Sequence, residues 1–533
     1  MEQYDADIVI VGAGTAGCVL ASRLSENPDL RVLLLEAGGS DRNLWVRVPS
    51  GIIKTIGKPA FDWCLATEPV QQMQGRRMPY PRGRMLGGTG SLNGMIYIRG
   101  NPRDYNRWQE LGNAGWGWSE VLPYFRRSEA NQRGADALHG ASGPLAVSDI
   151  GHDRLADAFL QAAAQAGYPL IDDFNGPSPE GASYYQMMIK RGQRACGADA
   201  YLRPAMKRTN LQVLTSARAT RVLLDGRRAS GVEFQRGGQL LRAQARREVI
   251  VAGGAFHSPQ LLQVSGIGPA ALLGRHGIPV ALDLPGVGAN LQDHLQVRVL
   301  CRCTQPVTIN DTLNSPLRMA GAVARYALSG SGILAWGPWR TGLFACSSAS
   351  PGWPDLQWHF GPVGFKSVNE PPTPYPSFTL SVCLLRPASR GSVEITSNDP
   401  FAPPGIQPDF LGTEADRRLM TEAFRLSRHL LAQPAMAEYL AEEILPGPDC
   451  QSDAQILDHV RATGGTVHHP VGTCRMGQDH MAVVNARLQV HGVGSLRVVD
   501  GSIMPELVSG NTNAPIVMIA EKASDLIAAD LRN

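Results

Sequence analysis

The chain reads Asp-Ile-Val-Ile-Val-Gly-Ala-Gly-Thr-Ala-Gly over residues 7–17, and the apolar run Val-Leu-Leu-Leu-Glu follows at residues 32–36. The pattern predicts a strand, a glycine-rich turn, a helix and a second strand. Gly12 permits the tight turn, Gly14 allows the backbone to approach a pyrophosphate, and Gly17 lets the helix pack close to the sheet. Free N–H groups at the start of such a helix attract phosphate. The stretch therefore predicts a βαβ dinucleotide-binding unit.

Glu36 ends this unit, 24 residues after Gly12. An acidic residue about 20 residues beyond the first glycine is placed to accept hydrogen bonds from a ribose. The same carboxylate would repel a 2′-phosphate, so NADP is not expected. A NAD-dependent dehydrogenase would share this unit, and the remaining motifs must distinguish it from a flavin enzyme.

The composition is typical of a globular protein. The 533 residues are 43% hydrophobic and 18% charged, and the length predicts two interleaved units rather than one core. A net charge of +3 is too small to indicate nucleic acid or an anionic membrane as a partner. The nine cysteines include no CxxC pair, which favours reduced thiols. With no visible signal peptide and no apolar run of about 18 residues, we expect a cytoplasmic protein without a membrane span. The oligomeric state is left open.

Further strands and helices are predicted around the first unit. They are strands within 206–300, including Arg247–Ala255 with its glycine turn, alternating runs at Ser377–Leu385 and Ser392–Thr396, helices at 414–443 and 451–463, a buried strand at Leu496–Asp500 and a helix at Ala514–Leu531. The alternating runs favour an antiparallel sheet. The predicted fold class is α/β with an α+β second domain. A Rossmann-like domain is built from discontinuous segments, and a domain based on an antiparallel sheet is inserted between them.

Four motifs occur in order along the chain. They are the opening glycine motif, Gly-Arg-Met-Leu-Gly-Gly-Thr-Gly-Ser-Leu-Asn-Gly-Met-Ile-Tyr at 83–97, Gly-Ala-Phe-His-Ser-Pro-Gln-Leu-Leu-Gln-Val-Ser-Gly-Ile-Gly at 254–268, and His-His-Pro-Val-Gly-Thr-Cys-Arg-Met-Gly at 468–477 followed by Asp-Gly-Ser-Ile-Met-Pro at 500–505 and Ser-Gly-Asn-Thr-Asn at 509–513. Together they resemble the glucose–methanol–choline (GMC) oxidoreductases, a family of FAD-dependent alcohol oxidisers, over essentially the whole length. Bacterial sorbose, choline and general alcohol dehydrogenases look most similar.

The resemblance implies an FAD-binding domain and a substrate-binding domain. The FAD-binding domain is assigned residues 1–155, 206–300 and 470–533, and the substrate-binding domain residues 156–205 and 301–469. The implied FAD-binding residues are Gly12, Gly14, Thr15, Ala16, Gly17, Glu36, Ala37, Arg84, Gly88, Asn93, Gly94, Met95, Val222, Ala252, His468, Asp500, Gly501, Asn511 and Thr512. Some relatives carry a histidine bonded covalently to the flavin just before the position of Asn93. Leu92 stands there in this chain, so a noncovalent FAD is expected.

Alcohol oxidation requires a group that removes the hydroxyl proton, and histidine is suited to this task near neutral pH. The resemblance places that base at His469, directly before Pro-Val-Gly-Thr. Asn511 occupies the partner position, where its amide can hydrogen-bond the substrate oxygen. Neighbouring side chains of an extended segment point to opposite faces, so we expect only one histidine of the pair 468–469 to face the flavin. A metal site is disfavoured, because adjacent histidines cannot easily both turn to one ion, and no metal is expected.

Aromatic residues are concentrated at 333–365, where they form either a pocket wall or ordinary core. The substrate candidates are Trp336, Arg340 and Phe344. Choline-type relatives usually keep a glutamate at the position of Arg340, where it can face a quaternary ammonium. A guanidinium there would repel a cation, so the expected substrate is a neutral or anionic primary alcohol.

The expected function is FAD-dependent oxidation of a primary alcohol to an aldehyde by hydride transfer to flavin N5, with His469 as general base. A dehydrogenase with a quinone-like, artificial or unknown acceptor is favoured. An oxidase that reduces dioxygen to hydrogen peroxide is the alternative. More distant alternatives are a flavin-scaffolded hydroxynitrile lyase, a NAD-dependent dehydrogenase and a binding protein without turnover.

Overall fold

The first sheet of the computed structural model, which describes residues 3–366 and 370–532, is built on the opening βαβ unit. The strands of this sheet, in spatial order, are Leu211–Leu214, Val32–Leu35, Gln3–Val11, Gln239–Val251, Arg228–Arg236 and Ala217–Asp225, and Leu496–Val498 pairs with Gln239–Val251 as well. The first four strands and Leu496–Val498 run parallel, and the last two continue as an antiparallel meander. Val32–Leu35 is buried at every residue, as expected for a parallel sheet covered on both faces.

The second sheet is antiparallel throughout. Its strands, in spatial order, are Leu440–Leu445, Leu295–Cys303, Ser377–Leu384, Leu356–Gly361, Thr341–Ala345 and Gly181–Tyr184, and Gly465–Thr466 pairs with Leu295–Cys303 as well. One face packs apolar side chains such as Val297, Trp358 and Leu380 against helices. The predicted combination of a Rossmann-like sheet with an antiparallel second sheet is therefore confirmed.

Helices cover both sheets. They are Thr15–Leu24, Leu44–Arg47, Pro102–Glu110, Trp118–Ser128, Arg154–Gln165, Arg203–Ala205, Gly254–Val264, Ala270–Arg275, Ile309–Leu313, Pro316–Ser329, Glu414–Leu431, Pro434–Ala437, Asp453–Thr463 and Asn513–Asp530. The described part of the chain also contains five two-stranded pairs: Leu65–Ala66 with Pro79–Tyr80, Glu129–Asn131 with Leu145–Val147, Ile189–Lys190 with Gln193–Arg194, Ile267–Gly268 with Leu282–Asp283, and Ser392–Glu394 with Gly405–Gln407. None of the helices within the described ranges is long and apolar enough to cross a bilayer.

Some predicted boundaries differ from the structure. The helix expected over 414–443 ends at Leu431, because Pro434 cannot continue it, and Leu440–Leu445 instead pairs as a strand with Leu295–Cys303. The run beginning at Ser392 forms a separate hairpin rather than a strand of the second sheet.

The domain ranges remain a prediction, and one fact bears on them. The strand Leu295–Cys303 crosses the expected boundary at residue 300 and pairs entirely within the second sheet. Met1, Glu2 and Asn533 lie outside the described residues, so the expectation about the N-terminal segment falls partly outside them too.

Candidate functional site: a dinucleotide cleft beside a buried histidine pair

The opening glycines stand where a side chain would collide with backbone. Gly12 has φ +101°, and a Cβ there would lie 2.6 Å from the carbonyl oxygen of Ala252. A Cβ on Gly17 would lie 1.9 Å from the carbonyl oxygen of Gly12. On Gly88, with φ +52°, it would lie 2.7 Å from the Cα atom of Gly14. The structure thus brings the first and second motifs into direct backbone contact, which leaves room for a flat, phosphate-bearing ligand beside them.

Glu36 is buried at the carboxyl end of its strand, where both carboxylate oxygens accept backbone hydrogen bonds. Oε2 accepts from Ala13 N at 2.8 Å, and Oε1 accepts from Gly38 N at 2.7 Å. Burial raises the pKa of Glu36 to about 7, and the two amide donors and the charge of Arg84 oppose that rise. Each oxygen keeps a second lone pair, which is what a ribose hydroxyl requires.

A cleft of about 1250 Å³, its open mouth included, lies at the carboxyl ends of three parallel strands. Ligands of doubly wound sheets bind at this edge. The predicted residues that line it are Gly12, Gly14, Thr15, Ala16, Glu36, Ala37, Gly88, Ala252, Asp500, Gly501 and Thr512. The predicted residues outside its lining are Gly17, Arg84, Asn93, Gly94, Met95, Val222, His468 and Asn511. Lining residues that sequence reasoning missed include Trp63, Arg82, Thr89, Arg218 and His257.

Val222 is placed differently from the expectation. It is buried in the hydrophobic core, and its N–H donates to Ser265 Oγ at 2.8 Å. Ala217 and Ala219, earlier on the same strand, reach the cleft instead. The strand begins at the cleft and runs away from it, so only its first residues are close to a ligand.

The side chain of Arg194 anchors the loop 83–95 by hydrogen bonds, a role that sequence reasoning missed. Its Nη1 atom donates to the carbonyl oxygen of Asn93 at 2.7 Å and to Asn93 Oδ1 at 2.9 Å, and Nε donates to the carbonyl oxygen of Val46 at 3.0 Å. Met95, at φ +65°, continues the turn, and a Cβ on Gly94 would meet no atom within 4 Å. The loop backbone is therefore fixed by Arg194, and the space beside Gly94 is open.

Asp500 and the last helix close the cleft. Asp500 Oδ2 accepts from Gly254 N at 2.8 Å and from Ser258 Oγ at 2.6 Å, which joins the third motif to the C-terminal one. The helix Asn513–Asp530 begins after Thr512 without a side-chain cap. Its first residue, Asn513, accepts from Thr15 Oγ1 at 2.8 Å through Oδ1. Two helix N-termini thus meet at the cleft, an arrangement that favours an anionic ligand.

His468 and His469 diverge for a reason other than the one expected. The segment is not extended, because His468 has φ +70°. Its carbonyl oxygen accepts from Arg82 Nη2 at 2.7 Å, and its N–H donates to Thr466 Oγ1 at 2.6 Å. This left-handed turn directs the two imidazoles to different neighbours, and His469 reaches Asn511.

The tautomer of His469 is fixed by a chain of hydrogen bonds. His294 Nε2 donates to the carbonyl oxygen of Leu385 at 3.1 Å, and burial lowers the pKa of His294 to about 4, so its Nδ1 atom is an acceptor. His469 Nδ1 lies 3.0 Å from it and must donate. The lone pair of neutral His469 is therefore on Nε2, which accepts from Asn511 Nδ2 at 3.1 Å. This is the protonation pattern a general base requires.

The backbone of His469 is hydrogen-bonded to Asp293. Asp293 Oδ1 accepts from His469 N at 2.8 Å and from His294 N at 2.8 Å. Its other oxygen accepts from the hydroxyls of Tyr80 and Thr466. Asp293 and His294 were missed at the sequence level. The signal available was the pair itself, a carboxylate beside an imidazole directly before the strand Leu295–Cys303.

Of the three substrate candidates, Phe344 lies in the strand Thr341–Ala345, Arg340 directly precedes it, and Trp336 lies in the segment before it. The Arg340 guanidinium lies over the Trp336 ring, 4.1 Å from its centroid, and its Nη2 atom is 3.8 Å from Asp153 Oδ2. Asp153 thus offsets much of the charge of Arg340. Phe344 packs against Phe174, with ring centroids 5.0 Å apart, and a Cβ on Gly510 would lie 3.6 Å from its Cζ atom. Phe344 is therefore next to the segment that carries Asn511.

This cleft, with the buried imidazole of His469 directly before its lining residue Pro470, is typical of a dinucleotide-dependent oxidoreductase. Family profiles described as GMC oxidoreductase match residues 6–296 and 387–520. The chain belongs to this family, and it uses FAD.

Similarity to known proteins covers nearly the full length of the chain. The oxygen-dependent choline dehydrogenase of Photobacterium profundum is 43% identical over 527 residues, covering 98% of this chain and 92% of that protein. The mitochondrial choline dehydrogenase of Homo sapiens is 44% identical over 529 residues, covering 97% and 89%. The crystal structure of pyridoxine 4-oxidase from Mesorbium loti superposes with a TM-score of 0.90 at 33% identity, covering 98% and 99%.

Proposed function

We propose that this GMC oxidoreductase oxidises a primary alcohol to the aldehyde, with His469 as general base and Asn511 as its partner. The observation that carries the proposal is the lone pair on His469 Nε2, fixed by His294 on one side and facing Asn511 on the other. Asn511 Nδ2 can donate to the substrate oxygen while His469 Nε2 takes the hydroxyl proton. Holding the alcohol by both groups would orient its C–H bond for transfer.

The residues of the cleft fit FAD. Gly12, Gly14 and Gly88 line the cleft, and the close backbone packing at Gly12 and Gly88 leaves no room there for a side chain. Glu36 retains acceptor capacity for a ribose. When bound, FAD supplies the acceptor for the hydride. The helix beginning at Asn513 would stabilise negative charge on the flavin. Leu92 is buried against Val46 and Met85 and offers no nucleophile, so we infer a noncovalent cofactor.

A dehydrogenase with a quinone-like acceptor is the favoured form, and an oxidase is the alternative. The test is anaerobic mixing of the holoenzyme with sugar, aromatic, aliphatic and polyether alcohols, followed by readmission of air. Bleaching of the flavin by an alcohol supports the proposal, and rapid recolouring in air identifies an oxidase. If no alcohol bleaches the flavin, the proposal is wrong, and cleavage of a cyanohydrin without bleaching would identify a hydroxynitrile lyase.

Choline is a second candidate substrate, because the relatives of 43% and 44% identity are choline dehydrogenases. The sequence-level expectation that Arg340 disfavours a cation is weakened by Asp153, whose Oδ2 atom lies 3.8 Å from Arg340 Nη2 and offsets much of its charge. Including choline in the same alcohol panel separates the two candidates directly.

The pH dependence of flavin reduction reports on His469. Burial lowers the pKa of His469 well below its usual range, and the nearby His294, His359, His468 and Arg82 lower it further. A protonated base cannot accept the hydroxyl proton, so activity is lost only as the pH falls through this lowered value. We expect the limiting rate constant for flavin reduction, measured by anaerobic stopped flow at saturating alcohol, to stay level down to about pH 6. An acid limb with its midpoint at 6.5 or above would contradict this.

His294 acts on the reaction through His469, as a positioning residue. Replacing it with phenylalanine removes the acceptor of the His469 Nδ1 proton, so the other tautomer becomes accessible. We expect His294→Phe to slow flavin reduction about 10- to 100-fold, the usual effect of losing an outer hydrogen bond that orients a functional imidazole. His294→Gln, whose amide oxygen can accept the same bond, should recover most of the rate. Equal loss in both variants would show that only packing is affected.

A further inference from the structure

A row of polar side chains crosses the face of the second sheet opposite its apolar core. Arg298 pairs with Ser381, and Ser381 pairs with His359 on the next strand. The same face carries Phe344 and Cys383, which pack into the hydrophobic core of the first domain. Neighbouring strands lie about 4.8 Å apart, so the three residues span about 10 Å. The row therefore runs along the side of the second sheet that meets the FAD-binding domain.

Two buried polar atoms of this row have no hydrogen-bond partner: Arg298 Nε and Ser381 Oγ. The two residues face each other on neighbouring strands, so their unpaired atoms belong to one patch. Buried polar atoms are nearly always paired, because an unpaired one costs free energy. Two of them on facing residues indicate a site for a ligand that the protein itself does not supply.

Arg298 differs from the arginines nearby in having no partner. Within residues 3–366 and 370–532, no carboxylate or carbonyl oxygen pairs with its guanidinium, which lies over the Phe365 ring, 4.9 Å from the centroid. Arg82 donates to the carbonyl oxygens of Pro81 and His468, and Arg340 is 3.8 Å from Asp153. Burial lowers the pKa of Arg298 to about 10, so it still carries its charge at neutral pH.

We infer that Arg298 and Ser381 bind a carboxylate of the substrate, which makes the substrate a carboxylate-bearing primary alcohol. A guanidinium fork matches a carboxylate with two parallel N–H donors, and the Ser381 hydroxyl can donate a third bond. One uncompensated positive charge suits a carboxylate better than a phosphate dianion. At the other end of the row, Gln357 lies two residues before His359 on the same face and donates to Asn511 Oδ1 at 3.4 Å. The row therefore ends next to the proposed catalytic pair, and several carbon atoms must separate the carboxylate from the hydroxyl. This inference rests on the proposed function.

The test compares ω-hydroxycarboxylates of four to eight carbons with n-alcohols of the same length and with choline, using the holoenzyme and anaerobic flavin reduction. We expect the wild type to prefer the hydroxycarboxylates. Arg298→Gln should raise the half-saturating concentration for them by about 10- to 100-fold, as expected for loss of hydrogen bonds from a charged donor, and leave the n-alcohols unchanged. Arg298→Lys should keep part of the preference, and Ser381→Ala should lose a smaller part. Arg302→Gln is the matched control, because Arg302 lies on the same strand but is exposed and pairs with Glu442 at 3.4 Å.

A second readout does not depend on turnover. Calorimetry measures the binding of unreactive n-alkanoates to the holoenzyme, and Arg298→Gln should weaken this binding by the same factor, about 10- to 100-fold. Equal effects on acids and alcohols, a wild-type preference for n-alcohols or choline, or unchanged alkanoate binding in Arg298→Gln would overturn the carboxylate site and leave the proposed function intact. If nothing in the panel reduces the flavin, the proposed function fails and the inference fails with it.

Discussion

Replacing His469 with alanine is expected to slow flavin reduction by about 10²- to 10⁴-fold, the usual contribution of a general base. The variant keeps Asn511, so the alcohol can still bind, but no imidazole lone pair remains to take its proton. His469 contacts Asn511 and His294 by side chain and Asp293 by backbone, and the backbone bond survives the change. Single-turnover reduction under anaerobic conditions measures the effect without interference from the electron acceptor.

The control for this variant is His480→Ala. His480 lies in the same C-terminal motif region and is exposed, so its loss should not change the rate. FAD content is compared in both variants by flavin absorbance, since lost cofactor would mimic lost catalysis. A His469→Ala enzyme that reduces its flavin within tenfold of the wild-type rate would refute the assignment of the base.

Replacing Gly38 with alanine is expected to disrupt FAD binding. A Cβ on Gly38 would lie 2.0 Å from the carbonyl oxygen of Arg84 and 2.5 Å from Met85 N, which are backbone atoms that cannot rotate away. The end of the second strand and the loop 83–95 must then separate, and both belong to the FAD cradle. Overpacking of this kind costs about 3 kcal/mol of unfolding free energy. Thermal unfolding and the flavin-to-protein absorbance ratio measure the two consequences.

Gly39→Ala provides the matched control, because a Cβ at the adjacent position would meet no atom within 4 Å. It should keep the wild-type melting temperature and FAD content. If Gly38→Ala binds FAD as tightly and melts at the same temperature as Gly39→Ala, the close approach of these two segments is not needed for the site.

Much of the fold follows from local sequence. Gly12, Gly14 and Gly17 are close together in sequence, so the first unit can be predicted from a short motif. The continuous apolar run at Val32–Leu35 likewise predicts a buried parallel strand. The helix predicted over 414–443 is wrong at its end because local sequence alone was used to extend it. Leu440–Leu445 has a helix-compatible composition, and only its pairing with Leu295–Cys303 makes it a strand.

The sequence by itself determined the family, the FAD cofactor and the base that we propose, because these depend on short motifs whose spacing is set by the backbone. Tertiary structure alone decided how His469 is held. His294 lies 175 positions away along the chain, and no local pattern indicates that it fixes the tautomer. The same holds for Arg298, whose lack of a partner follows from strand register and burial, and for Arg340, whose charge is offset by a distant aspartate. Contacts between distant segments exist only in the folded chain. They fix which nitrogen of His469 carries its proton and which arginine charges are compensated.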